Sequence, residues 1–363
     1  MNQTKSERVQ SYYYGMRKFH NAIKRNLYNK YTSNIDNLLE IASGKSGDIS
    51  KAIDNKVKNI YGYDINEQSI LEGKRRVSEL KNKTKGFFPN VTMQVKDLSN
   101  EIIEEKDFKF DVVSAQFCFH YFFESTQTFE TVMKSIENNL KDGGYFIGTL
   151  FDGESIETLL KSNRNQLELS DIEGEVRFKI VPKTRINSNS TFGNKISVFI
   201  KDTVLDEAMD EYLVYFNTFV DIMKTRGFTL VETQMFEELY KDYFKLDDIS
   251  KQVSFLNRTF VFKRTKTKFK PLKQMCKQIT EYLVECKFET FEEQVLEKYK
   301  KAITHKMDNL NNDKLQIYND YKFIRDNFEN FEKVMTDDDI SRNIKDYFKI
   351  IHNMYLSTLA KDS

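Results

Sequence analysis

The stretch Leu38-Leu39-Glu40-Ile41-Ala42-Ser43-Gly44-Lys45-Ser46-Gly47-Asp48 decides how this chain folds. Four residues with strand character run into small residues that permit a tight turn, and a helix is expected to begin at Asp48. Working outward, Ile60 to Ile65 reads as a second strand, followed by a helix through Leu80. Val91 to Val95 and Phe110 to Ala115 read as two more strands, and a helix spans about Thr126 to Leu140. Gly143-Gly144 then turns the chain into a strand from Tyr145 to Leu150. Strands interleaved with helices of this length predict an α/β fold: a mostly parallel, Rossmann-like sheet with helices on both faces.

Before the first strand, Tyr12 to Tyr31 mixes aromatic and basic residues at helical spacing. Beyond Asp152 the pattern changes. Val176 to Val181 and Lys195 to Ile200 read as antiparallel strands, and a helix runs from about Phe216 to Arg226. Phe228 to Thr233 and Phe255 to Phe262 read as the last strands of the sheet. The rest turns basic and then helical, with Ile340, Ile344, Tyr347, Phe348, Ile351 and Tyr355 on one stripe after Asp337 to Asp339. The expected organisation is therefore a domain over 1–265 and a helical C-terminal extension over 266–363. The domain includes an N-terminal helical segment of about 1–34 and inserted antiparallel strands at about 170–205.

Composition narrows the function. The 363 residues hold 56 Lys+Arg against 55 Asp+Glu, a formal charge of +1. A protein gripping long nucleic acid through counterion release carries far more basic charge, so any nucleic-acid contact should be local, as with an RNA end. Cys118, Cys276 and Cys286 share no metal-ligand spacing, and four scattered histidines add none, so no metal site is expected. Unpaired thiols suggest an intracellular protein. No apolar run reaches the ~18 residues of a membrane span, and Met1 to Gln10 lacks the apolar stretch of a secretory signal.

Three stretches carry chemistry. The turn Ala42 to Gly47 follows a strand of an open sheet, where ligands approach the backbone closely, though a plain tight strand–helix turn would read the same. It lacks both the phosphate-loop pattern and a clean Gly-x-Gly-x-x-Gly. Asp64 ends the second strand, about 20 residues on, where a carboxylate can accept both hydroxyl protons of an adenosine ribose. It could equally cap the next helix. Asp97, after the third strand, suits an adenine amino group or a plain surface turn. Gln116-Phe117-Cys118-Phe119-His120-Tyr121-Phe122 offers ring faces for stacking and polar groups for ring edges. A core aromatic cluster with one satisfied histidine would look the same.

Together these stretches resemble the mRNA cap (guanine-N7) methyltransferases, from about Met16 to Phe262. The family's Leu-Arg-Asn-Phe-Asn-Asn-x-Ile-Lys is similar to Met16-Arg17-Lys18-Phe19-His20-Asn21-Ala22-Ile23-Lys24. Leu39 to Asp48 resembles its Leu-Asp-Leu-Gly-Cys-Gly-Lys-Gly-Gly-Asp. Gln116 to Ser125 meets its Gln-Phe-x-x-His-Tyr-x-Phe-Glu-Ser, and Gly143 to Thr149 its Gly-Gly-x-Phe-Ile-Gly-Thr. Glu211-Tyr212-Leu213-Val214-Tyr215-Phe216 matches Glu-Tyr-Leu-Val-x-Phe.

The resemblance implies a class I, seven-stranded methyltransferase fold, S-adenosylmethionine as cofactor with S-adenosylhomocysteine as product, and a capped RNA 5′ end as substrate. It implies that Lys24 meets the methionyl carboxylate, Asp64 the ribose and Asp97 the adenine. Ala42 and Gly44 form the cofactor turn, and Gln116 and Tyr121 line its cavity. His20, Asn21, Lys45, Arg76, His120 and Glu211 would face the cap. Catalysis would then be positioning by His120, Glu211 and Tyr121, with no general acid or base. The chain departs from the family where Ala42 and Ser46 replace glycines, Glu40 an Asp, His20 an Asn, Ala22 an aromatic residue and Asn257 a Tyr. A catalytically weak, methyltransferase-like subunit that binds RNA or a partner is the alternative reading, and a small-molecule methyltransferase the third. The C-terminal helices are expected to pack on the α/β core or on one another, a docking surface for capping-enzyme or polymerase subunits being the alternative, and no membrane contact is expected. The compartment implied is nucleus or cytoplasm, or a viral factory or virion if the A/T-rich composition is that of a large DNA virus.

Overall fold

The computed structural model describes residues 12–188, 190–203 and 208–265. The expected helical extension over 266–363, and the first eleven residues of the N-terminal segment, lie outside the described residues.

Helix α1 (Tyr14–Tyr31) buries Met16, Phe19, Ile23, Leu27 and Tyr28, one stripe at helical spacing. It ends where Thr32 returns both its amide and its hydroxyl to the Tyr28 carbonyl, each at 2.8 Å. The α/β pattern follows: β1 (Asn37–Ile41), α2 (Ile49–Asp54), β2 (Asn59–Asp64), α3 (Glu67–Lys83), β3 (Asn90–Val95) and β4 (Phe110–Gln116). Asn66 caps α3 by accepting from the Ser69 amide at 2.8 Å. A 3-10 turn (Phe119–Phe123) leads to α4 (Thr126–Asn139), which opens on a capping box between Ser125 and Thr128. Then come β5 (Leu140–Phe151) and α5 (Gly153–Ser162).

The main sheet has seven strands in the order β10-β11-β5-β4-β1-β2-β3, where β10 is Phe228–Met235 and β11 is Asn257–Arg264. Strands β3, β2, β1, β4 and β5 pair parallel, and β11 pairs antiparallel with both β5 and β10. Successive residues of the central strands point to opposite faces. Leu38, Val112, Ile147 and Val261 join Leu27 and Tyr28 of α1 in one core. Leu39, Val113, Phe146 and Phe260 join the other, rich in phenylalanine from the 3-10 turn, α4 and α6 (Phe216–Thr225). Such doubly covered strands explain the near-continuous apolar runs in the sequence.

Three readings of the sequence need correction. The strand expected at Tyr145 starts at Leu140, with Gly143 at φ 79° accommodated inside it. Gly144 is required there, because a Cβ would lie 2.8 Å from the Asp111 carbonyl oxygen. The strand expected at Phe255 begins at Asn257, since Asp248–Phe255 is a helix, α8, capped by Asp247 through the Ser250 amide. It follows a one-turn helix, α7 (Phe236–Leu239). The inserted strands are four, not two: β6 (Leu167–Ser170), β7 (Val176–Pro182), β8 (Lys195–Ile200) and β9 (Met209–Tyr212) form an antiparallel sheet in that order. Strands β6 and β9 are four residues each, too short for alternation to register as a pattern.

Candidate functional site

The parallel pairing brings the C-terminal ends of β1, β2, β3 and β4 to one edge, where open α/β sheets bind ligands. At β1 the backbone reverses through Ala42 (φ 49°), Gly44 (φ 52°) and Ser46 (φ 55°). All three lie in the left-handed region that favours glycine, so both departures from the family's glycines sit where a Cβ is strained. Beside the turn, Gly62 is held in contact: a Cβ there would fall 2.8 Å from Ser43 Oγ.

Asp64 is fixed by this turn. Its Oδ2 accepts from the Gly44 amide at 2.7 Å and its Oδ1 from the Asn66 amide at 2.8 Å. Both oxygens keep lone pairs for ribose hydroxyls. Ser43 adds a buried hydroxyl with no hydrogen-bond partner. Asp97 accepts from the Ser99 amide and the Asn100 side chain, so its own turn already engages it. Gln116 is oriented by two hydroxyls, donating to Ser114 Oγ at 3.0 Å and accepting from Thr149 Oγ1 at 3.1 Å.

Lys24 reaches this edge from α1. Its ammonium lies 2.9 Å from Asp48 Oδ2 and 2.8 Å from Oδ1. Burial works to raise the Asp48 pKa, but Lys24 and Lys51 outweigh it and hold the carboxyl below its ordinary value. A carboxylate and a ribose find complementary groups here, in Lys24 and Asp64. The donor set therefore fits S-adenosylmethionine: paired acceptors for a ribose, a surplus of ammonium for a carboxylate and a backbone turn open to close approach. Among the described residues no group of three or more His, Cys, Asp or Glu could hold a metal ion.

The second constellation is deeper. His120 lies in the 3-10 turn after β4, and Glu211 in β9, which packs on that turn. His120 Nε2 stands 3.4 Å from Glu211 Oε2, and each side chain is 3% exposed. Neither ring nitrogen of His120 nor Oε2 of Glu211 has a hydrogen-bond partner. Burial lowers the His120 pKa to about 3 and raises that of Glu211 to about 8, against a lowering hydrogen bond from Tyr121. The imidazole is therefore neutral at pH 7 and the carboxyl predominantly protonated, so the pair is no salt bridge. Side by side, these unpartnered buried groups present hydrogen-bonding atoms that a polar ring edge could meet. Tyr121 adjoins both constellations, its ring 4.3 Å from that of His120 and its phenol influenced by Glu211 and Asp64.

Other residues singled out in the sequence stand elsewhere. His20 is stacked on Phe117 at 5.2 Å and hydrogen-bonded to Ser254 Oγ at 2.9 Å, and burial holds its pKa down to about 3. Asn21 donates to the Arg17 carbonyl and accepts from Lys51. No hydrogen bond or ring contact joins either to His120 or Glu211. Arg76 adjoins Lys45, donating to its carbonyl at 3.3 Å, but also pairs with Glu72 at 2.9 Å. Asn257 is buried, its amide donating to the Val253 and Ser254 carbonyls. Sequence reasoning missed Lys51 and Ser43. Lys51 was legible only as the residue one turn after Asp48.

The profile of the mRNA (guanine-N(7))-methyltransferase domain matches residues 1–329. The chain is 27% identical over 237 residues to the mRNA cap guanine-N(7) methyltransferase of Eremothecium gossypii, covering 62% of this chain and 54% of that protein. To the protein of the same name from Saccharomyces cerevisiae it is 28% identical over 242 residues, covering 62% and 53%. The chain thus spans about half the length of these curated relatives. A solved S-adenosylmethionine-dependent methyltransferase from Clostridium acetobutylicum matches with a TM-score of 0.44 at 16% identity, covering 70% of this chain and 92% of that one. With the family matched over 329 of 363 residues, the chain belongs to the mRNA (guanine-N(7))-methyltransferase domain family.

Proposed function

We propose that this chain methylates N7 of the guanine cap at an RNA 5′ end. The observation that carries the reading is the buried pair His120 and Glu211, whose unpartnered atoms match the edge of guanine. Glu211 as a carboxylate accepts two parallel N–H bonds from N1 and N2 of guanine, a pattern adenine does not offer. Neutral His120 donates one N–H toward O6. When bound, S-adenosylmethionine supplies a sulfonium methyl that guanine N7 attacks in line, leaving S-adenosylhomocysteine.

Guanine N7 carries a free lone pair, so no side chain has to remove a proton. The contribution of the chain is orientation and electrostatics, and alignment of two bound partners is worth ~7–11 kcal/mol of barrier. Asp64 takes the ribose hydroxyls, Lys24 the amino-acid carboxylate and Asp97 the adenine amino group. Ala42 and Gly44 lie along the cofactor, and Gln116 and Tyr121 line its cavity. Glu211, ionised by its two donors, also faces the positive charge that develops on the methylated base. Lys45 and Arg76 supply positive charge for the triphosphate bridge.

We assign these roles to a domain of residues 1–265. Nucleus and cytoplasm both suit the reading, and among the described residues no helix is long and apolar enough to cross a membrane. The deciding assay is methyl transfer from labelled cofactor to capped RNA, with the product digested to its cap nucleotide. Label in 7-methylguanosine with GpppRNA, and none with ApppRNA, is the expected result. Label in any other nucleoside would overturn the assignment.

A further inference from the structure

Lys51 is a buried charge with no assigned part in binding the cofactor or the cap. It lies near the start of α2 and is 2% exposed. Its ammonium donates to Asp48 Oδ1 at 2.5 Å and to Asn21 Oδ1 at 3.0 Å. Lys24 approaches the same carboxylate from the more open side, its own side chain 15% exposed. Two ammonium groups thus share one carboxylate, and one positive charge is left over. Burying a lysine is costly unless it is paired, and here two ammonium groups have a single carboxylate between them.

The remaining neighbours do not cancel the surplus. Glu40, on β1 behind the turn, accepts from the Tyr28 hydroxyl at 2.8 Å, and burial together with Asp48 raises its pKa to about 7. Its charge is therefore only partial at neutral pH. Asn21 and Lys24 lie three residues apart on α1, so Lys51 grips that helix through Asn21 directly and through Asp48 indirectly.

We propose that Lys51 is a positioning residue for the cofactor: by competing for Asp48 from the buried side, it leaves Lys24 with spare charge for an amino-acid carboxylate. Without Lys51, Asp48 would neutralise Lys24 one to one. The inference rests on the assignment of Lys24 to the methionyl carboxylate.

The test compares two ligands on the full chain by calorimetry: S-adenosylhomocysteine, and 5′-methylthioadenosine, which has the same adenosine but no amino-acid carboxylate. Lys51→Met should weaken S-adenosylhomocysteine roughly 10-fold or more while changing 5′-methylthioadenosine less than about 2-fold. Loss of a merely structural ion pair would weaken both ligands alike, and that result overturns the proposal. Lys24→Met separates the inference from its premise. If it leaves the ratio of the two affinities unchanged, the assignment of Lys24 fails. If it collapses the ratio and Lys51→Met does not, the role of Lys51 alone fails. Should Lys51→Met not fold, Lys51→Gln, which keeps a donor to Asp48 without the charge, is read by the same ratio.

Discussion

The Gly44 amide donates to Oδ2 of Asp64 at 2.7 Å, so the turn after the first strand holds the carboxylate that ends the second. The contact sits in the reversal formed by the left-handed backbone at Ala42 (φ 49°), Gly44 (φ 52°) and Ser46 (φ 55°). It makes Asp64 a preoriented acceptor, which a helix-capping role would not require: Asn66, not Asp64, caps α3.

Asp64→Ala should therefore weaken S-adenosylhomocysteine by roughly 10- to 100-fold, the cost of leaving ribose hydroxyls and the Gly44 amide without their acceptor. Calorimetry on the folded variant checks this. Unaltered cofactor affinity would remove Asp64 from the ribose site.

Glu211→Gln and His120→Ala should act on the other substrate. Each is expected to lower kcat/KM for GpppRNA by at least roughly 10-fold, because a buried partner is left unpaired against guanine. S-adenosylhomocysteine affinity should stay within about 2-fold of the parent on the same reasoning, since neither residue touches the cofactor turn. Unchanged turnover in both variants would refute the cap assignment.

Binding of the cap should depend on pH with a definite sign. Glu211 holds its proton up to about pH 8 in the free protein, yet must release it to accept two N–H groups. GpppG affinity should consequently rise between pH 6 and 8, approaching about tenfold per unit well below the pKa. Folding stability has the opposite sign. A raised carboxyl pKa stabilises the fold fully below the unfolded value near 4.5, and that contribution is lost as pH rises toward 8. Glu40 acts alike up to about pH 7, whereas His20 and His120, lowered to about 3, destabilise as pH falls from 6.5. Among the described residues, the two buried carboxyls are the groups whose shifts fall between pH 6.5 and 8. Urea unfolding should show the parent losing stability over that interval and Glu211→Gln losing less.

Ala42→Gly should raise thermal stability, because φ 49° strains any residue with a Cβ. The gain expected is up to about 1 kcal/mol, the left-handed cost less the extra chain entropy of glycine. Ser46→Gly, at φ 55°, should gain less, as it gives up the contact of Ser46 Oγ with Met93 Sδ at 3.2 Å. Calorimetric melting of both variants checks the order, and a lower melting temperature for Ala42→Gly would contradict the strain argument.

The central strands were legible in the chain itself, because Leu38-Leu39, Val112-Val113 and Phe146-Ile147 are apolar on both faces and bounded by turns or helical patterns. Local patterning carries that information without help from distant residues. So does the acidic end of β2. The motif around Gln116 to Ser125 located His120 and Tyr121 but not their state. Glu211 lies 91 residues from His120, on a four-residue strand whose Met-Asp-Glu-Tyr has no readable period. Only the folding of the inserted sheet onto the 3-10 turn brings the two to 3.4 Å and removes water from both. The same holds for Lys51, whose charge looks like any solvated helix residue until α1 closes over it. Backbone periodicity, set by neighbours along the chain, determined the layers of this protein. Desolvation and charge sharing, set by neighbours in space, decided its chemistry.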